Sequence, residues 1–250
     1  MPPRAKPLKN ESPEKGERIA KYMARAGIAS RRGAEAMIAA GHVTVNGKKI
    51  TSPALNINEG DVIAVDGNVI LAEDDARLFL YHKPAGLITT HKDPEGRPTV
   101  FDALPKGMPR VVSVGRLDFS SEGLLLLTTS GELAHKLEDP KLGWKRKYRV
   151  RAYGHLTEEQ MNRIRSGITV DGIRYRPAEL RFESRKGKNA WYVMTITEGK
   201  NREIRKIFEH FDCKVSRLIR VGFGAFQLGS MQPGEVKEIS AKALREQIGL

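Results

Sequence analysis

The segment Val112-Ser113-Val114-Gly115-Arg116-Leu117-Asp118 sets a carboxylate just beyond a β-branched run, with a glycine and an arginine shortly before it. A strand end is a rigid support for a reacting group, and a neighbouring guanidinium favours the ionised acid. Taken alone, an aspartate at a strand end is commonly a turn former, so the spacing leaves both readings open. The other reactive side chains give weaker patterns. His42, His82, His91, His135, His155 and His210 show no metal-ligand spacing, so no bound zinc is expected. Cys213 is the single cysteine, which excludes an internal disulfide framework and a multi-cysteine metal site; it reads as a small buried side chain. Gly222-Phe223-Gly224 lacks the third glycine and helix start of a dinucleotide loop, no Walker sequence is present, and Phe223 and Phe226 are expected in the core.

The elements around Asp118 follow from local pattern. Strand-like runs are expected at Leu78 to Tyr81, Val111 to Val114, Leu124 to Thr128, Tyr148 to Tyr153 and Trp191 to Thr197. Thr157 with Gln160 predicts a capping box, and Gly167 ends that helix. A further helix is expected from about Asn201 to Phe211, with Ile204, Ile207, Phe208 and Phe211 on its apolar face. These strands are too unevenly separated by helices for a regular parallel barrel, so an α+β domain with a mixed, largely antiparallel sheet flanked by helices is expected over 76–250.

A smaller domain precedes it. The first 15 residues are rich in Pro, Lys and Glu and are read as a disordered basic tail. From Glu17, Ile19, Met23 and Ala26 recur at helical spacing up to Gly27, and Ser30 is a candidate N-cap for a second helix that Gly41 stops. Val43-Thr44-Val45, Asn46-Gly47 and Lys48-Lys49-Ile50 predict a tight hairpin, and another strand is expected at Asp61 to Val65. Ala72 to Ala76 reads as a polar linker.

Forty-three Lys and Arg against thirty Asp and Glu give a formal charge of +13, which favours a polyanionic partner through counterion release. No apolar run reaches the roughly 18 residues that span a bilayer, no signal-peptide core follows Met1, and no amphipathic basic helix marks a membrane surface. A cytoplasmic protein without a membrane partner is therefore expected. Arg18, Lys21, Arg25, Arg31 and Arg32 crowd the first helical pair, and Lys48 and Lys49 follow the hairpin turn. Such side chains can meet phosphates or simply form a solvated face.

Two resemblances sharpen this. Arg25-Ala26-Gly27-Ile28-Ala29-Ser30-Arg31-Arg32 and Ile38-Ala39-Ala40-Gly41-His42-Val43-Thr44-Val45-Asn46-Gly47 resemble the RNA-binding domain first known from ribosomal small-subunit protein four, over residues 17 to 75. Gly115-Arg116-Leu117-Asp118, with Ser121-Glu122-Gly123-Leu124-Leu125-Leu126-Leu127-Thr128, is similar to the signature of the RsuA-type ribosomal pseudouridine synthases. Further family segments follow in order: Lys83-Pro84-Ala85-Gly86, Lys147-Tyr148, Gly199-Lys200-Asn201-Arg202-Glu203-Ile204-Arg205-Lys206, and Ser216-Arg217-Leu218-Ile219-Arg220. The last two look more like the large-subunit, RluB-like branch than the small-subunit branch.

The resemblance implies conversion of a uridine of ribosomal RNA into pseudouridine, in large-subunit RNA or an assembly intermediate, with no obligate protein partner. Uracil is detached from C1′, turned and reattached through C5, without net oxidation or hydrolysis, so no cofactor is demanded. It assigns Asp118 as nucleophile, Tyr148 to stacking on a flipped base with possible proton transfer, and Arg205 to orienting Asp118 through a two-pronged contact. Arg116 would meet the RNA backbone or fill the flipped-out space, Leu218 would line the pocket, and Lys83 with Pro84 would shape the loop beneath it. Arg202 and Lys206 fit a solvated helix face. Arg25, Arg31, Arg32 and Lys48 become candidate RNA contacts. A small-subunit or transfer RNA target, and a non-catalytic assembly factor that kept the fold, are the competing expectations.

Overall fold

Two Xaa-Gly pairs set the corners of the first sheet. Asn46 and Gly47 both take positive φ (51° and 76°), as do Asp66 and Gly67 (48° and 82°), which is the type I′ geometry that reverses a strand in two residues. The computed structural model describes residues 16–72 and 75–248, and the chain divides after Asp74 into two compact units. The tail expected over 1–15 and part of the expected linker lie outside the described residues.

In the first unit β1 (Glu17–Arg18) leads into α1 (Ile19–Arg25) and α2 (Arg31–Ala39). Ser30 caps α2, its Oγ accepting from Gly33 N at 3.0 Å. β2 (Val43–Val45), β3 (Lys48–Lys49), β4 (Asn56–Ile57), β5 (Ile63–Val65) and β6 (Asn68–Val69) follow. β1 pairs with β4, and the others form one antiparallel sheet in the order β3-β2-β5-β6. Ile19, Met23, Ala34, Ile38, Val43 and Ile63 fill its core, which leaves Arg31, Arg32 and Lys48 exposed. The sequence reading lacked β1, β4 and β6, which are only two residues long and carry little pattern.

The second unit contains β7 (Leu78–Lys83), β8 (Val112–Val114), β9 (Ser121–Thr128), α3 (Gly131–Glu138), β10 (Arg146–Tyr153), α4 (Glu158–Arg165), β11 (Thr169–Val170), β12 (Ile173–Arg174), β13 (Glu179–Lys186), β14 (Asn189–Ile196), α5 (Glu203–Glu209), β15 (Lys214–Phe223), β16 (Phe226–Gln227), β17 (Val236–Ile239) and α6 (Ala241–Ile248). Its main sheet runs β13-β14-β10-β15-β9-β7-β17, with β8 beside β9 and β16 beside β15. All its pairings are antiparallel except β9 with β15, so the sheet is mixed and largely antiparallel, with helices beside it.

Strand alternation builds two cores on this sheet. Leu125 and Leu127 of β9 join Phe79 and Tyr81 in one cluster; Leu124 and Leu126 join Leu78 and Leu80 in the other. The four consecutive leucines are all fully buried, worth about 1.5–3 kcal/mol each. That is why the run does not alternate: both faces of the strand are covered. The capping box at Thr157 and Gln160 forms as expected, with Thr157 N donating to Gln160 Oε1 at 2.8 Å and Gln160 N to Thr157 Oγ1 at 3.2 Å.

β9 meets β15 through Ser121 opposite Leu218, Glu122 opposite Ile219 and Gly123 opposite Arg220. Gly123 sits at φ +102°, and a Cβ there would lie 2.3 Å from the Arg220 carbonyl oxygen and 2.7 Å from its nitrogen. The obstacle is backbone, which cannot swing aside. Gly123→Ala should therefore destabilise the second unit by about 3 kcal/mol or more, read as a lower midpoint in denaturant unfolding of the full chain. Unchanged stability would contradict the close approach described here.

Candidate active site

The loop between β8 and β9 carries Asp118, and its shape is dictated by backbone carbonyls. Lys83, at the end of β7, has no solvent exposure, so its ammonium must find partners internally. It donates to the carbonyls of Ser121 (2.8 Å), Pro84 (3.0 Å), Asp118 (3.2 Å) and Phe119 (3.5 Å). Burial pushes its pKa down to about 8, against the pull of Asp118 and Glu122. Thr89 Oγ1 donates to the Leu117 carbonyl (2.9 Å) and accepts from Leu117 N (3.3 Å), while Gly115 N donates to Glu138 Oε1 (2.6 Å). Gly86 N donates to the Phe119 carbonyl at 2.8 Å.

Arg205 closes the loop from the other side. Although it lies on α5, only 5% of it is exposed, with Nη1 donating to the Val215 carbonyl (3.0 Å) and Nη2 to the Ser120 carbonyl (3.2 Å). Its Nε is buried without a hydrogen-bond partner and lies 4.0 Å from Asp118 Oδ2. The expected two-pronged contact with the carboxylate is therefore not formed, because the two terminal nitrogens are committed to backbone oxygens. Arg202 is solvated as expected, its side chain 45% exposed, yet its Nη1 also stands 4.0 Å from Asp118 Oδ2 and it lines the cleft. The Asp118 carboxylate itself is about one-third exposed.

The carboxylate opens on a cleft of about 800 Å³. Tyr148 and Leu218, both nearly buried, lie on the adjacent strands β10 and β15 and line it with Ile88, Ile196 and Phe223. Arg116 sits exposed at its edge. The sequence reading missed Arg146, Arg220 and Glu203, which line the cleft as well. Alternation was the available signal: Arg146 shares the inward face of β10 with Tyr148, and Arg220 that of β15 with Leu218. Glu203, on the first turn of α5, is 4% exposed and accepts from Lys200 N at 3.0 Å. Burial and the nearby charge of Glu198 push its pKa up to about 7. Such a site offers an apolar and aromatic floor for a planar ring, one reachable carboxylate, and a cationic rim for an anionic polymer.

The basic residues of the first unit are not equivalent. Arg31 and Arg32 are exposed on the first turn of α2 and Lys48 on β3, whereas Arg25 is half-buried, 2.8 Å from Glu17 and stacked on Tyr22. Among the described residues no helix is long and apolar enough to cross a membrane.

Comparison with known proteins agrees with both halves. Residues 17–63 match the S4 domain, and residues 77–210 match the family described as RNA pseudouridylate synthase. A protein of Rickettsia typhi described as an RNA pseudouridine synthase is 48% identical over 229 residues, covering 92% of this chain and 94% of the relative. The ribosomal large subunit pseudouridine synthase B of Haemophilus influenzae is 40% identical over 261 residues, covering 99% of this chain and 73% of the relative. A crystal structure of a pseudouridylate synthase superposes with a TM-score of 0.64 at 25% identity, over 93% of this chain and 100% of that one. With an RNA-binding S4 domain ahead of a catalytic domain, the chain belongs to the RNA pseudouridylate synthase family and is an isomerase acting on RNA.

Proposed function

We propose that this enzyme isomerises a uridine of large-subunit ribosomal RNA, with Asp118 as the nucleophile acting on a base flipped out of the helix. The observation that carries the reading is the Asp118 carboxylate, presented to the cleft by a loop whose backbone Lys83, Thr89 and Arg205 grip from three sides. An attacking group held this way spends little freedom on reaching its target. The large-subunit target rests on the relatives named for it, which align with almost the whole chain.

In this scheme uracil leaves the stack at a cost of about a few kcal/mol, which contacts inside the cleft offset. Tyr148 supplies a ring face for the base and Leu218 an apolar edge. Arg205 Nε and Arg202 orient the carboxylate at longer range than a direct pair would. The bond from C1′ to N1 breaks, the bond from C1′ to C5 forms, and the proton on C5 is released while N1 gains one, so atoms and charge balance without an oxidant. Arg116, exposed and lining the cleft, meets the RNA backbone or fills the vacated position in this scheme. Arg31, Arg32 and Lys48 supply the S4 unit's phosphate contacts, with Arg25 bracing that face.

Asp118→Asn should reduce tritium release from C5-labelled ribosomal RNA by about three orders of magnitude or more while leaving RNA affinity within about twofold. Full activity in that variant would instead favour a non-catalytic role for this residue. Pseudouridine mapping in cells with and without the gene should show a site missing from large-subunit RNA; a loss confined to the small subunit would overturn the target. Because the protonated Lys83 ammonium is the form that grips the loop, kcat/KM should decline as pH rises through about 8. Lys83→Met should be slower and lack that alkaline limb, and a wild-type profile flat to pH 9.5 would count against the ammonium as the organising group.

A further inference from the structure

A buried guanidinium, Arg220, and a partly buried one, Arg146, share one wall of the cleft without an acid to pair with. Arg220 is only 2% exposed, its Nε donates to the Leu124 carbonyl at 2.7 Å, and its Nη2 has no partner. Arg146 gives Nη1 to the Trp144 carbonyl at 3.1 Å. Both lie over the Phe223 ring, with Cζ 5.0 Å (Arg146) and 5.5 Å (Arg220) from its centroid. Among the described residues neither has a carboxylate within 4.0 Å. The two acids whose charge acts on Arg146 accept backbone N–H groups instead: Glu138 Oε1 receives Gly115 N at 2.6 Å, and Glu203 Oε2 receives Lys200 N at 3.0 Å. Burial first, and then the charge of Arg220, push the Arg146 pKa down against the opposing pull of Tyr148, Glu203 and Glu138.

Like charges on one ring, at low exposure, call for a counter-charge that spans them. The substrate of this family is RNA, whose every nucleotide carries a phosphodiester, and the guanidinium fork matches two phosphate oxygens at once. Arg220 lies directly opposite Tyr148 in the β10–β15 register and Arg146 opposite Phe223, so this wall adjoins the aromatic floor. Arg202 and Arg205 face Asp118 and are a separate group.

We propose that Arg146 and Arg220 form a phosphate-binding subsite that holds the RNA backbone at the nucleotide being modified, an inference that rests on the cleft being the uridine site. Ligand-observed NMR titrations of the full chain with uridine, uridine 5′-monophosphate and uridine 3′-monophosphate test it. The wild type should bind one or both monophosphates about tenfold more tightly than uridine, and the preference should shrink as salt is raised. In Arg146→Gln the preference should fall to within about twofold while uridine affinity stays, which also reports a folded cleft; Arg146→Lys should keep part of it, a charge without the fork. Equal responses to uridine and both monophosphates in the wild type, whether all bind or none does, overturn the subsite. So does a preference that survives Arg146→Gln and Arg220→Lys. Monophosphate binding that Arg146→Gln weakens, without any binding of uridine, would support the subsite while removing the uracil pocket, so the two readings fail separately.

Discussion

Three register pairs join the halves of the catalytic unit: Ser121 with Leu218, Glu122 with Ile219, and Gly123 with Arg220. On one side lie β7, β8, β9 and β17; on the other lie β10, β13, β14, β15 and β16. Each half is an antiparallel assembly, and only this short parallel contact makes them one sheet. The glycine at its end lets the two backbones approach more closely than any side chain would allow. Everything that meets in the cleft depends on that approach. Asp118 precedes β9, Leu218 and Arg220 belong to β15, Tyr148 is carried by the next strand, and Arg205 reaches across to the Ser120 carbonyl. The candidate site thus sits where the two halves meet, drawing its acid from one and its aromatic floor from the other.

The two cores on opposite faces of β7 and β9 explain how such a narrow junction is sustained. Leu124 to Leu127 contribute alternately to both clusters, so loosening either face loosens the strand that follows the acidic loop. Lys83 and the terminal nitrogens of Arg205 meet backbone oxygens within this frame rather than opposing charges. Lys83 takes four carbonyls and Arg205 two, a solution that keeps the Asp118 carboxylate from being neutralised by a tight ion pair. At 4.0 Å from two guanidinium nitrogens, it remains near positive charge yet available to a substrate atom.

Local chemistry was the part legible from sequence. The Asn46-Gly47 hairpin, the Ser30 cap, the Thr157 and Gln160 box and the buried face of α5 all form where side-chain pattern placed them, because each depends on residues within one or two turns. β13, β15, β17, α3 and α6 were not read as elements. β13 forms the sheet's outer edge, where the charged side chains of Glu179, Arg181, Glu183, Arg185 and Lys186 discourage further pairing and only Leu180 is buried, so little apolar signal marks the strand. β15 carries arginines at positions 217 and 220 and pairs through two register shifts, so no simple period runs through it. α3 is eight residues long and depends on the cap from Ser130, whose Oγ accepts from Leu133 N at 3.2 Å. Within the site, resemblance identified Asp118, Tyr148, Arg205 and Leu218 as a set, whereas the 4.0 Å spacing and the unpaired Arg146 and Arg220 emerge only when strands far apart in sequence come together.

The loop's anchors also bear on how such an enzyme can diversify. Lys83 and Arg205 hold carbonyl oxygens at Asp118, Phe119, Ser120 and Ser121, and every amino acid presents the same oxygen. The side chains of Arg116, Phe119 and Ser120 are therefore spectators of the fold, and Phe119 is 46% exposed. They can be exchanged without disturbing the carboxylate between them. The loop's shape is thus set by backbone atoms, and its outward-facing side chains are left free of any structural duty.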